Sequence, residues 1–111
     1  MYGLLFYGFF ITIIITYILK QTIKGERPPK GKKKYRDSGM PSGHTSMAAY
    51  ILFFIAFYIN KPIYYIFALI GTIYIAKTRV DTEMHTVSQT IVGAIVGISI
   101  AFYFGYYLKN I

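Results

Sequence analysis

The chain has 111 residues, is 55% hydrophobic and 19% aromatic, and has a mean hydropathy of +0.46, which is too apolar for a soluble domain of this size. Its formal net charge of +8 sits in short segments between apolar stretches, with no groove-reading element beside it, which excludes a nucleic-acid binder. With no cysteine, disulfides and thiol chemistry are excluded and the redox compartment stays open.

Apolar stretches run over roughly 2–19, 45–59, 62–76 and 87–108, each near the length that crosses a hydrocarbon core of about 30 Å at about 1.5 Å per residue. A soluble four-helix bundle would need a charged face on each helix, and these segments carry almost no charge. The expected fold is therefore all-α: an integral, multi-pass membrane bundle of about four transmembrane helices, forming a single domain over 1–111. The first stretch has no basic leading region and no small-residue cleavage site, and Lys20 stands at its far end, so it reads as a retained helix and not a signal peptide.

Residues 24–43 form a basic loop between the first two helices. Gly25, Pro28, Pro29, Gly31, Gly39, Pro41 and Gly43 break any helix there, and Lys32-Lys33-Lys34 makes it strongly polar. The lysine run is a solvated flank or a contact for anionic headgroups, worth about 1 kcal/mol per charge near a membrane surface. The second helix starts just past Pro41, with Ser42, Thr45 and Ser46 available to cap it, so its free backbone N–H groups can hold an anion.

Asn60-Lys61-Pro62 is a tight connection that puts proline in the first turn of the third helix. The two middle stretches are short, which predicts little tilt or a locally thinned bilayer. Lys77 to Thr86 reads as a polar turn. In the last helix Gly93, Gly97, Ala101 and Gly105 recur every four residues, a small-residue row that packs within the bundle or, alternatively, forms a homo-oligomer seam. His85 and Gln89 extend the row toward the polar side, with a drift of about 40° per step.

Charge separates the two ends of the bundle. Ten of the twelve Lys and Arg follow the first and third stretches, leaving Lys61 and Lys109 for the other side. Eight of the twelve tyrosines gather toward that other side, as an interfacial belt would. The positive-inside rule places the basic face in the cytoplasm.

Three clusters meet on this face. Lys20 precedes Arg27-Pro28 at the spacing Lys-x6-Arg-Pro, Pro41-Ser42-Gly43-His44 opens the second helix, and Arg79 precedes His85 as Arg-x5-His. Up-and-down topology brings together the end of helix one, the start of helix two, the end of helix three and the start of helix four, so all clusters converge. Phosphoryl transfer needs this set. Lys20, Arg27 and Arg79, the backbone at Ser42-Gly43 and the hydroxyls of Ser42 and Thr78 can stabilise charge on phosphoryl oxygens. One neutral imidazole can attack phosphorus while a protonated one donates to the leaving oxygen. These roles need neither metal nor cofactor.

With these motifs the chain resembles the type 2 phosphatidic acid phosphatases (PAP2), the membrane branch of the vanadium-haloperoxidase-like acid phosphatases. The family's Lys-x6-Arg-Pro, Pro-Ser-Gly-His and Ser-Arg-x5-His-x3-Asp patterns read here as Lys20 to Arg27-Pro28, Pro41 to His44, and Thr78-Arg79 to His85 and Gln89. The resemblance implies His85 as nucleophile, His44 as general acid, and Lys20, Arg27, Ser42, Gly43 and Arg79 as the phosphate cradle. It implies a lipid phosphate or diphosphate substrate, of the phosphatidate or polyprenyl diphosphate class. Members commonly have six helices, and this chain reads as the last four of them, a minimal core.

Two substitutions depart from the family pattern. Thr78 stands for serine and keeps a hydroxyl. Gln89 stands for the aspartate that fixes the nucleophile's tautomer and stabilises the imidazolium. Its amide oxygen can still accept the ring N–H, but the electrostatic half is gone; in a serine-protease triad a comparable Asp→Asn change costs about 10⁴ in turnover. Asp81 and Glu83, just before His85, are the nearby carboxylates, with Lys77 as their ordinary partner. The alternative to a working phosphatase is a catalytically weak or inactive member that binds lipid phosphate or is structural.

Overall fold

The computed structural model describes residues 1–23, 41–82 and 84–111. Among these, regular structure is entirely helical: α1 (Tyr2–Thr22), α2 (Gly43–Ile59), α3 (Pro62–Asp81) and α4 (Val87–Phe102), with the last helix running on into a π-helical turn, Tyr103–Tyr107. The chain is an all-α membrane bundle. α1, α3 and the continuous Val87–Tyr107 segment are long and apolar enough to cross a membrane, and α2 is a shorter apolar helix of 17 residues. At about 1.5 Å per residue α2 is about 25 Å long, the lower limit for a span.

Local chemistry sets the ends. Ser42 caps α2: its Oγ accepts the Thr45 N–H at 3.4 Å and donates to Thr45 Oγ1 at 3.0 Å. Asn60 ends that helix in the left-handed region, with φ 58° and ψ 52°, a conformation asparagine tolerates better than most residues. Pro62 then occupies the first turn of α3 as expected. The expected polar turn from Lys77 is corrected, because α3 continues to Asp81. Lys77 and Asp81, four residues apart, pair at 2.9 Å on its exposed last turn, and such a pair supports a helix.

α2 and α4 pack together at the centre, with α1 and α3 on either side and no packing between those two among the described residues. Tyr50, Phe54, Ala101 and Phe104 form the buried cluster between them. The row Gly93, Gly97, Ala101, Gly105 is buried and faces α2. Ser46 Oγ donates to the Gly93 carbonyl at 2.9 Å. A Cβ at Gly93 would stand 2.6 Å from the Ser42 carbonyl oxygen, and one at Gly97 would be 2.9 Å from Tyr50 N and closer still to the Ser46 oxygen. The bundle therefore uses the row internally. A homo-oligomer seam along these residues would require α2 to leave them.

The alternating topology follows from contacts at the two ends. At one, the rings of Tyr7 and Phe104 lie 6.3 Å apart, those of Phe57 and Tyr65 lie 5.5 Å apart, and Lys109 sits 4.7 Å over the Tyr58 ring. At the other end, the Ser42 N–H donates to the Gln89 carbonyl at 3.1 Å. α1 and α3 expose Phe6, Phe10, Ile14, Phe67, Ile70 and other large apolar side chains. Such a surface needs a lipid or protein cover.

Candidate phosphate site at the basic end

Pairwise contacts link four chain segments at the basic end. Lys20 lies in the last turn of α1, and its Cε would be 3.9 Å from a Cβ built on Gly43, with the Thr16 methyl at 3.8 Å. Gly43 and His44 are the first two residues of α2. The Ser42 N–H to Gln89 carbonyl bond ties that helix start to the start of α4. The turn after α3 folds back over its own end, since Met84 N and His85 N both donate to the Arg79 carbonyl, at 3.1 and 3.2 Å. Arg79 and His85 are thereby held to one another through the backbone, six residues apart in sequence.

The side chains differ in environment. His85 is 3% exposed, whereas His44 is exposed. Ser42 is fully buried, and its hydroxyl serves the cap of α2. The Thr78 hydroxyl donates to the Ile75 carbonyl at 2.7 Å, within its own helix. Arg79 is half-buried, and its Nε is a buried donor with no hydrogen-bond partner among the described residues. A buried charged donor left unpaired is costly, so this position fits an anion. Arg27, Pro28 and the lysine run of the basic loop lie outside the described residues, as does Glu83.

His85 is corrected from its expected place on the last helix. It stands in the preceding turn, with Thr86 as the N-cap and Gln89 as the third helical residue, so the four-residue row on α4 starts at Gln89. Gln89 has a definite structural task. Its Oε1 accepts the Thr86 N–H at 3.0 Å while its own N–H donates to Thr86 Oγ1 at 3.3 Å, a complete capping box. The signal was present in the sequence as Thr-x-x-Gln ahead of an apolar run. Asp81 pairs with Lys77 on the exposed side of α3.

A second row was missed in the sequence. On α1, Gly8, Thr12 and Thr16 are buried and lead at four-residue spacing to Lys20. Thr12 Oγ1 donates to the Gly8 carbonyl at 2.8 Å, whereas Thr16 Oγ1 is buried without a partner. Gly8 leaves room for Tyr50, whose hydroxyl donates to the Leu4 and Leu5 carbonyls at 3.1 and 2.8 Å. Threonines among isoleucines give little hydropathy contrast, but their spacing of four was readable.

Comparison with known proteins identifies the family. The family model of the PAP2 superfamily matches residues 2–111. A curated relative, dolichyldiphosphatase 1 of Dictyostelium discoideum, is 30% identical over 110 residues, covering 88% of this chain and 48% of the relative. The chain thus spans about half the length of that protein. No solved structure gives a significant match.

Proposed function

Because the chain belongs to the PAP2 superfamily, we propose that it is a membrane lipid phosphate or diphosphate phosphatase acting through a phosphohistidine. The observation that carries this reading is Arg79. Its buried, unpartnered Nε lies on the residue whose carbonyl holds the His85 backbone, so an anionic phosphoryl group beside His85 would complete the donor. Lys20, Ser42, Gly43 and Arg27 are the proposed remainder of the cradle, with Thr78 as an auxiliary hydroxyl.

In the proposed reaction a ring nitrogen of neutral His85 attacks phosphorus. The P–N bond forms as the bond to the leaving oxygen breaks, and protonated His44 gives that oxygen its proton. Water then attacks the phosphohistidine, neutral His44 takes its proton, and inorganic phosphate leaves with His85 restored. The Arg79 and Lys20 cations and the N–H groups at the start of α2 stabilise the charge on the phosphoryl oxygens in both steps.

The test is phosphate release from a lipid phosphate or diphosphate in detergent. Wild type should release it without added metal, and His85→Ala and His44→Ala should lose release by about 10³-fold or more. Equal release from His85→Ala and wild type ends the proposal. The basic end is proposed to face the cytoplasm by the positive-inside rule. The cysteine-free chain makes that testable, since an impermeant maleimide should reach cysteine at Lys61 from outside the cell and cysteine at Lys77 only after lysis.

One observation favours a second reading, a weak or inactive member that binds lipid phosphate. Gln89 supplies the capping box of α4 and brings no carboxylate to the imidazolium. Gln89→Asp tests it: a gain in turnover of about tenfold or more marks the native protein as handicapped, and unchanged or lower turnover removes this reading.

A further inference from the structure

The two peptide groups that flank the Cα of His85 set its φ and ψ, and each gives its N–H to a fixed acceptor. The N–H of His85 donates to the Arg79 carbonyl at 3.2 Å. The N–H of Thr86 donates to Gln89 Oε1 at 3.0 Å, and Thr86 Oγ1 accepts the Gln89 N–H in return at 3.3 Å. The Gln89 carbonyl in turn accepts the N–H of Ser42, which stands just ahead of Gly43 and His44, at 3.1 Å. We propose that Gln89 and Thr86 are positioning residues for the phosphatase reaction: the Gln89 amide grips the peptide bond after His85, its main chain ties that grip to the start of α2, and the nucleophile is thereby fixed relative to the general acid. This rests on the reading of the basic end as a lipid phosphatase site.

Three observations support that role over a cap that serves α4 alone. The first is placement. A capping box satisfies the free N–H groups of a helix start wherever the helix lies. Here the residue before the N-cap is His85, so the bond that closes the helix end also fixes the peptide plane that follows the imidazole-bearing Cα. The second is burial: Gln89 and His85 are 2% and 3% exposed, so the acceptor of that bond is shielded from competing water. The third is length. The bond runs from the third helical residue back to the N-cap, a reach that glutamine and glutamate have and that aspartate, one methylene shorter, lacks. Glutamine at this position therefore holds the His85–Thr86 peptide, which an aspartate would not. Such a hold matters for catalysis, because a misplacement of about 1 Å in a reacting group can cost about 10²-fold in rate.

The experiment measures kcat and KM for phosphate release in detergent, well below the melting transition of each variant. Gln89→Met keeps the length and removes the acceptor, so kcat should fall about tenfold or more with KM within about twofold of wild type. Gln89→Asp should fall with it. Thr86→Val should also lose kcat, and Thr86→Ser, which keeps the hydroxyl, should restore it. Ser88→Ala, on the exposed side of the same turn, should change nothing. A further variant removes the donor: the α-hydroxy acid of threonine placed at position 86 replaces the N–H by an ester oxygen and leaves every side chain as it is. It should lose as much kcat as Gln89→Met, and the two changes together should lose no more than either alone. Wild-type kcat in Gln89→Met or in the ester variant, fully additive losses, Thr86→Ser as poor as Thr86→Val, or a gain in Gln89→Asp overturns the proposal while leaving the phosphatase reading intact. Should wild type release no phosphate from any lipid phosphate or diphosphate, that reading fails, and the hold on His85 is then judged by amide hydrogen exchange in detergent micelles. A Thr86 N–H that is protected in wild type and exchanges about tenfold faster in Gln89→Met supports it; equal exchange in the two overturns it.

Discussion

α2 meets its two small-residue neighbours in opposite ways. Against α4 it lies backbone to backbone: Gly93 and Gly97 admit the Ser42 and Ser46 carbonyls, and hydrogen bonds from Ser42 N and Ser46 Oγ close the seam. Against α1 contact is made through side chains. Tyr50 reaches over Gly8 to the carbonyls of Leu4 and Leu5 at one end, and the seam opens into a groove at the other. The closed seam leads to Gln89 and His85, and the open one to Lys20. On the proposed function a catalytic group needs fixed geometry, and the closed side of α2 is the one that offers it.

The same substitution, glycine to alanine, probes both seams. The largest effect is expected at Gly97, where a methyl meets the backbone of Ser46 and Tyr50 and no side chain can rotate away. The helices must part, at a cost of about 3 kcal/mol or more. Helical melting of Gly97→Ala in detergent, followed by circular dichroism, should start well below that of wild type, and a wild-type melting curve would deny that the seam is tight. Gly93→Ala follows at about 2–3 kcal/mol. Its methyl would press on Ser42, so phosphate release should fall further than stability does, because the Ser42–Gln89 bond joins the two halves of the site.

Gly8→Ala is expected to be milder, at about 1–2 kcal/mol. The methyl would meet the end of the Tyr50 ring, which can swing aside by giving up its bonds to Leu4 and Leu5. The pair is testable by a cycle: Tyr50→Phe removes the hydroxyl, so the double variant should be less destabilised than the sum of the singles. Strict additivity would separate the two residues.

These seams were unequally legible in the sequence. The glycine row of α4 stood out because four small residues at one spacing interrupt an Ile- and Val-rich helix. So did both ends of α2 and the start of α3, through Ser42, Asn60 and Pro62, whose backbone preferences are local. The row on α1 passed unread because threonine is close to neutral in hydropathy, and its burial depends on Tyr50, which is 42 positions beyond Gly8. α3 outran its expected end because Lys77 and Asp81 read as loop residues although their spacing stabilises a helical turn. Gln89 was read for its distance from His85 and not for its distance from Thr86. The structure gives it the second task through contacts within four residues. The π-helical turn at Tyr103–Tyr107 has no local signal in the aromatic run that forms it.

The smallest effect on stability is expected at Gly43, and it sharpens the contrast most. A methyl there would meet the Thr16 methyl at 3.8 Å and Lys20 Cε at 3.9 Å, ordinary contacts, on the first residue of a helix with no positive φ to resist it. Gly43→Ala should leave the melting curve unchanged or raise stability by up to about 0.5–1 kcal/mol, since alanine loses less backbone entropy on entering a helix. Its effect on turnover is a separate quantity. If the backbone at Gly43 approaches the phosphoryl group, a methyl on that face obstructs the approach, and kcat/KM should fall about tenfold in a protein that is as stable as wild type. Full activity in a stable Gly43→Ala would show that packing explains this glycine and would remove it from the cradle. Activity lost together with stability would mean that the start of α2 is packed as tightly against α1 as it is against α4, and the division between the two seams would not hold.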